Sequence, residues 1–131
     1  MSQAYRHKNT SVSLVNYHFV WCPKRRRKIL VGDLAVRLKE LVESKTNQMG
    51  IEILALEIMP DYVHLFVSCP PRVAATQIVF RLKGYTSRVL RKEFLYLMRM
   101  PSLWTRSYFV STAGNVSADT IRRYIDEQNK Y

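Results

Sequence analysis

Tyr124 and Gln128 stand four residues apart in a stretch where Ile121 and Ile125 recur at helical spacing, so the four share one side of a helix. A phenol on such a face can attack a phosphodiester and hold the nucleic acid covalently. This requires a cation to stabilise the charge that develops at the phosphate, and a neighbouring amide oxygen is a suitable ligand for it. The plainer reading of Tyr124 is an amphipathic core tyrosine, and chemistry alone excludes none of the other tyrosines among the 8 in the chain. His64 is the second residue of interest. Within the run from Tyr62 to Cys69, Val63, Leu65 and Val67 point one way and Tyr62, His64 and Phe66 the other. The aliphatic set belongs to a core, which leaves His64 on the opposite face, where an imidazole can bind a metal. A single strand histidine needs further donors to make a site.

The elements that must position these side chains can be read along the chain. Val12 to Trp21 is β-branched and aromatic and stops at Pro23, before the basic run Lys24 to Lys28. Leu34, Leu38, Leu41, Val42 and Met49 predict a helix from Asp33 to Met49, with Asp33 as its cap and Gly50 as its stop. Ile51 to Met59 and Tyr62 to Cys69 form a hairpin across Pro60-Asp61. Ile78, Val79, Leu82, Thr86, Val89 and Leu90 predict a second helix with Arg81, Arg88, Arg91 and Lys92 on its outer side. Leu103 to Thr112 reads as a further strand and Ala113 to Asn115 as a turn. Ser117 then caps a last helix, with Val116 able to staple against Ile121. The order βαββαβα predicts an α+β fold with residues 1–131 as a single domain. Its form is ferredoxin-like (RRM-like): a four-stranded antiparallel sheet, helices on one face, and a C-terminal helix carrying the tyrosine. The uncovered face of such a sheet is a nucleic-acid platform.

Composition narrows the partner. The chain has 131 residues and a net charge of +11, with 47% apolar residues, which excludes a disordered tail. The surplus charge points to a polyanion, nucleic acid before an anionic membrane, and Lys24, Arg25, Arg27, Arg81 and Arg88 are the expected phosphate contacts. Tyr17, Phe19, Trp21, Phe66, Trp104, Tyr108 and Phe109 offer stacking surface for unpaired bases, although several must be core. Two cysteines, Cys22 and Cys69, make no disulfide scaffold, and no run reaches the length of a membrane span. A cytoplasmic location without membrane contact is expected.

Four blocks then combine. Asn16 to Trp21 followed by Pro23-Lys24 and Arg26-Arg27, Glu57 to Ser68, Leu103 to Val110 with Gly114 to Val116, and Tyr124 to Gln128 together resemble the single-tyrosine HUH transposases of small insertion sequences. The resemblance spans nearly the whole chain. It implies a homodimer that cleaves and rejoins single-stranded DNA at element ends through a 5′-phosphotyrosine, with recognition of short hairpins near those ends and a divalent ion, Mg²⁺ or Mn²⁺. Tyr124 would be the nucleophile, and His64 and Gln128 the metal ligands, with the tyrosine helix serving the metal-binding strand of either subunit.

One position departs from the family pattern. Tyr62 occupies the place of the first metal histidine, and a neutral phenol is a poor ligand at neutral pH. Three explanations stay open: a weakened site, a ligand supplied from elsewhere, or a catalytically inactive relative that binds DNA hairpins. Asp61 falls on the wrong face if the strand has begun there. His18 lies on a strand that neighbours His64 in a ferredoxin-like sheet, but periodicity does not fix its facing, and a structural role is the plainer reading. A rolling-circle type nicking protein is the nearest catalytic alternative. An RNA-binding module of the same fold lacks its aromatic motif here.

Overall fold

The computed structural model describes residues 14–112 and 118–128. Its elements run β1 (Val15–Trp21), α1 (Gly32–Gln48), β2 (Glu52–Met59), β3 (Tyr62–Cys69), α2 (Ala75–Glu93), β4 (Phe109–Ser111) and α3 (Ala118–Glu127). The strands form one antiparallel sheet in the order β2-β3-β1-β4, the ferredoxin-like arrangement. β1 and β3 are therefore central. The β2–β3 hairpin turns at Pro60-Asp61 as expected, and β3 has the anticipated bounds.

Alternation decides which layer each strand residue joins. Phe19 and Trp21 on β1 and Val63, Leu65 and Val67 on β3 enter the main core with Leu34, Leu38 and Leu41 of α1 and Ile78, Leu82 and Leu90 of α2. Arg37 and Glu93 tie the two helices by a bidentate pair, Nε to Oε1 at 2.8 Å and Nη2 to Oε2 at 3.0 Å. The other face of the sheet carries a second, small apolar cluster in which Val20 of β1 and Cys22 just beyond it meet Ile125 of α3, with Tyr62, Phe109, Ile121 and Tyr124 packed around it. The face expected to be uncovered is thus partly covered by the tyrosine helix.

Two expectations need correction. Helix α1 begins at Gly32 with Val31 in the capping place and no side-chain cap, so Asp33 lies within the first turn, where its charge suits the helix N-terminus. Gly50 does end the helix, at φ +72°. The strand expected from Leu103 to Thr112 shrinks to Phe109–Ser111. The physical reason is that the carbonyls of Thr105, Arg106 and Ser107 accept from the Lys83 ammonium at 2.6, 3.3 and 3.2 Å instead of from a neighbouring strand. Of the expected stacking aromatics, Phe19, Trp21 and Trp104 are buried. The turn at Ala113 to Asn115, the Ser117 cap, the Val116 staple and the start of the first strand at Val12 lie outside the described residues.

Candidate functional site

Helix α3 presents Tyr124 to a cleft of about 380 Å³ lined by Lys24, Thr105, Arg106, Ser107, Glu127 and Gln128. One residue organises its floor. Ser107 Oγ donates to Gln128 Oε1 at 2.8 Å and lies 3.1 Å from the Tyr124 hydroxyl. Because the single serine proton is spent on Gln128, the tyrosine is the donor in its own bond to Ser107. Gln128 Nε2 in turn donates to the Tyr124 main-chain carbonyl at 3.1 Å. Burial pushes the Tyr124 phenol up to about 12, against a lowering by the Ser107 hydrogen bond. The resting phenol is therefore protonated at neutral pH.

Two cations hold this arrangement from outside the cleft. Lys83, on the buried side of α2, fixes the loop bearing Ser107 through the three carbonyls already described, and burial lowers its own pKa to about 8. Arg26 donates from Nε to Asp61 at 2.8 Å and from Nη1 to Asp126 at 3.2 Å, joining the β2–β3 turn to α3. The contact with Asp61 is its largest cause of a raised pKa. Arg25 and Arg26 adopt left-handed backbone conformations, φ 58° and 55°, which turn the chain so that Arg26 reaches both carboxylates. Asp61 is therefore engaged with Arg26.

On the sheet, Val20 is the register partner of His64 on one side and Phe109 on the other, and the Phe109 ring centroid is 6.2 Å from that of Tyr124. His64 and Phe109 thus flank Val20, with Tyr124 beside Phe109. His18 faces the His64 side, with Nδ1 3.1 Å from His64 Nε2. Burial, and next the neighbouring His18, lower the His64 pKa, while Glu57, with Oε1 3.9 Å from Nδ1, opposes the shift. Tyr62 packs in the apolar cluster beneath α3, and its phenol is raised by burial first and by Glu57 next.

Comparison with known proteins places this arrangement in a lineage. Residues 11–128 match the family described as transposase IS200 like. The chain belongs to the IS200-like transposase family. The ISDra2 transposase TnpA of Deinococcus radiodurans is 34% identical over 118 residues, covering 88% of this chain and 84% of that protein. A transposase for insertion sequence element IS200 from Salmonella typhimurium is 29% identical over 115 residues, covering 86% and 75%. A crystallised Deinococcus radiodurans transposase superposes with a TM-score of 0.87 at 33% identity, covering 94% of this chain and 97% of its own. A REP-associated tyrosine transposase bound to a REP hairpin, 16% identical with a TM-score of 0.54, covering 96% of this chain and 69% of its own, shares the fold.

In the transposase, the expected metal ligands engage separate partners. Gln128 Oε1 accepts from Ser107, His64 Nε2 meets His18, and Tyr62 stays a protonated phenol. No group of three or more His, Cys, Asp or Glu suited to a metal exists among the described residues. The donor chemistry that does fit a divalent ion is the pair of imidazole nitrogens. The expected DNA contacts also divide. Lys24 lines the tyrosine cleft, and Lys24, Arg25 and Arg27 line an adjoining groove with Met100 and Pro101. Arg81 and Arg88 lie in the helical layer on the other side of the sheet, in a groove with Lys45 and Tyr85. Sequence reasoning missed Ser107, Lys83 and the Arg26 bridge. Among the described residues no helix is long and apolar enough to cross a membrane.

Proposed function

We propose that the transposase cuts and rejoins single-stranded DNA at the ends of its element through a 5′-phosphotyrosine on Tyr124. The observation that carries this reading is the placement of the Tyr124 hydroxyl, hydrogen-bonded to Ser107 in a cleft that Lys24 and Arg106 also line. Attack by the phenol oxygen forms a phosphorus–oxygen bond to Tyr124 and breaks the bond to the 3′ oxygen, which leaves as a free 3′-OH. The phenol gives up its proton to solvent in the cleft and the departing 3′ oxygen takes one up, so that no proton is gained or lost overall. A phosphodiester is exchanged for a phosphodiester, so the reverse attack by a 3′-OH rejoins DNA and restores the tyrosine.

Lys24 and Arg106 bind and orient the scissile phosphate, and Gln128 holds Ser107 in the direction that accepts from Tyr124. A divalent ion, Mg²⁺ or Mn²⁺, held at His64 supplies charge stabilisation at the phosphate oxygens when bound. The DNA partner is a single-stranded hairpin near the element end, and the working unit is a homodimer. The experiment is incubation with single-stranded element ends and Mn²⁺, followed by a denaturing gel. Native protein forms a covalent adduct, and Tyr124→Phe forms none while keeping hairpin affinity within a few-fold. An adduct that survives Tyr124→Phe reassigns the nucleophile. Absence of any adduct, with hairpin binding intact, leaves a DNA-binding relative that does not cut.

A further inference from the structure

The face that carries His64 is a grid of side chains from four strands. Along β1, Val20 is the register partner of His64 and His18 that of Phe66, so His18 stands diagonally across from His64 on the same face. The diagonal is short here. The two imidazole rings have centroids 5.3 Å apart and planes 29° apart, and the His18 ring is stacked on Phe66 at 3.9 Å and 7°. Phe66 thereby fixes the ring whose Nδ1 lies 3.1 Å from His64 Nε2.

An N–H of one imidazole and the bare nitrogen of the other meet at such a distance across one shared proton, whichever ring donates. The same span separates two nitrogens bound to a single divalent ion at about 2.1 Å with roughly a right angle between the bonds. An ion held by both nitrogens displaces that proton to the outer nitrogen of the donor ring, a tautomeric shift that leaves the number of protons on the pair unchanged. The outer nitrogen of His64, Nδ1, has the Glu57 carboxylate 3.9 Å away, on the side where a ligand histidine commonly has an orienting partner. The Tyr62 ring packs in the apolar contact with α3, and its phenol is hydrogen-bonded with the same Glu57 carboxylate.

We propose that His18 and His64 form the metal-binding pair of this transposase, with His18 supplying from the adjacent strand the ligand that Tyr62 does not. This rests on the metal dependence stated under the proposed function. The remaining coordination positions are open to water and to phosphate oxygens. An imidazole pair favours Mn²⁺ over Mg²⁺, because nitrogen donors suit the transition metal better than the hard alkaline-earth ion.

The test is Mn²⁺ binding to the whole chain without DNA, by calorimetry and by pulsed electron paramagnetic resonance of the bound ion. The native protein should show two coordinated imidazole nitrogens. His18→Ala and His64→Ala should each weaken Mn²⁺ at least about tenfold and leave at most one nitrogen, whereas Tyr62→Phe should leave affinity within about twofold. The nitrogen count in the native protein stands even if His18→Ala fails to fold. One coordinated nitrogen in the native protein overturns the inference. So does a Tyr62→Phe variant as weak as His64→Ala beside an unaffected His18→Ala, or the absence of Mn²⁺ binding. If the Tyr124 adduct still forms in any of these cases, the strand-transfer reading survives and only the metal pair is lost. If two nitrogens are seen and no adduct ever forms, the reverse holds.

Discussion

The two faces of the sheet are built from the same strands and behave as different materials. On the side of α1 and α2, Phe19, Trp21, Val63, Leu65 and Val67 enter a continuous core with two long helices, and burial there is nearly complete. On the side of α3, three buried apolar residues, Val20, Cys22 and Ile125, are ringed by Tyr62, Phe109, Ile121 and Tyr124, two of which carry phenols. The first face supplies stability through apolar area removed from water. The second holds polar groups in defined geometry over a small apolar footing, with Arg26 bridging Asp61 of the β2–β3 turn and Asp126 of its helix. The expectation from this contrast is that the α3 layer opens before the main core does.

The sharpest way to break this contrast is a pair of truncations. Phe19→Ala should cost about 3–5 kcal/mol of global stability, measured by urea unfolding, because it empties a fully buried site. Ile125→Ala, equally buried, should leave the main unfolding transition within about 1 kcal/mol and instead speed amide exchange in α3 and lower adduct yield. Equal global losses would show that the two layers unfold as one.

Lys83→Met comes next, at roughly 2 kcal/mol, since three loop carbonyls lose one donor while the methionine still fills the apolar side of α2. Adduct formation should fall with it, because the loop carries Ser107. The alkaline limb of stability sharpens the comparison from the other side. A phenol raised to about 12 when folded contributes stability that is complete below the ordinary tyrosine value of 10.0 and is lost as pH climbs towards 12. Tyr124→Phe should therefore flatten the fall in urea midpoint between pH 10 and 12. The smallest effect is expected at the cations. Lys24→Ala should reduce both hairpin affinity and adduct yield, whereas Arg88→Ala should reduce affinity alone, and each should lower the log-log salt slope by about 0.7 if it contacts a single-strand phosphate.

Much of the first face was legible in the sequence, because alternation and helical spacing are the direct imprint of a two-sided sheet and a one-sided helix. Lys83 shared that imprint, since it falls with Val79, Thr86 and Leu90 on the apolar side of α2, but a lysine there reads as an interruption until its acceptors are known. Those acceptors also explain why Leu103 to Thr112, β-rich by composition, gives so short a strand. Composition reports side-chain preference and is blind to which donor claims a carbonyl. Ser107 sits in an irregular loop, where no periodicity marks it. The register of β1 against β3, needed to bring His18 to His64, depends on pairing between residues 46 apart in sequence.

That register has a consequence for how such sites change over time. A motif written as residues two apart on one strand samples a single direction through a two-dimensional lattice, whereas the neighbouring strand offers further directions at comparable range. A donor lost along one row can be replaced from the next with the backbone unmoved, because β1 and β3 are each paired on both sides and hold their spacing. Descent with substitution can then shift a chemical group sideways across a sheet, and a linear pattern will score the result as damage when the lattice has only been re-indexed.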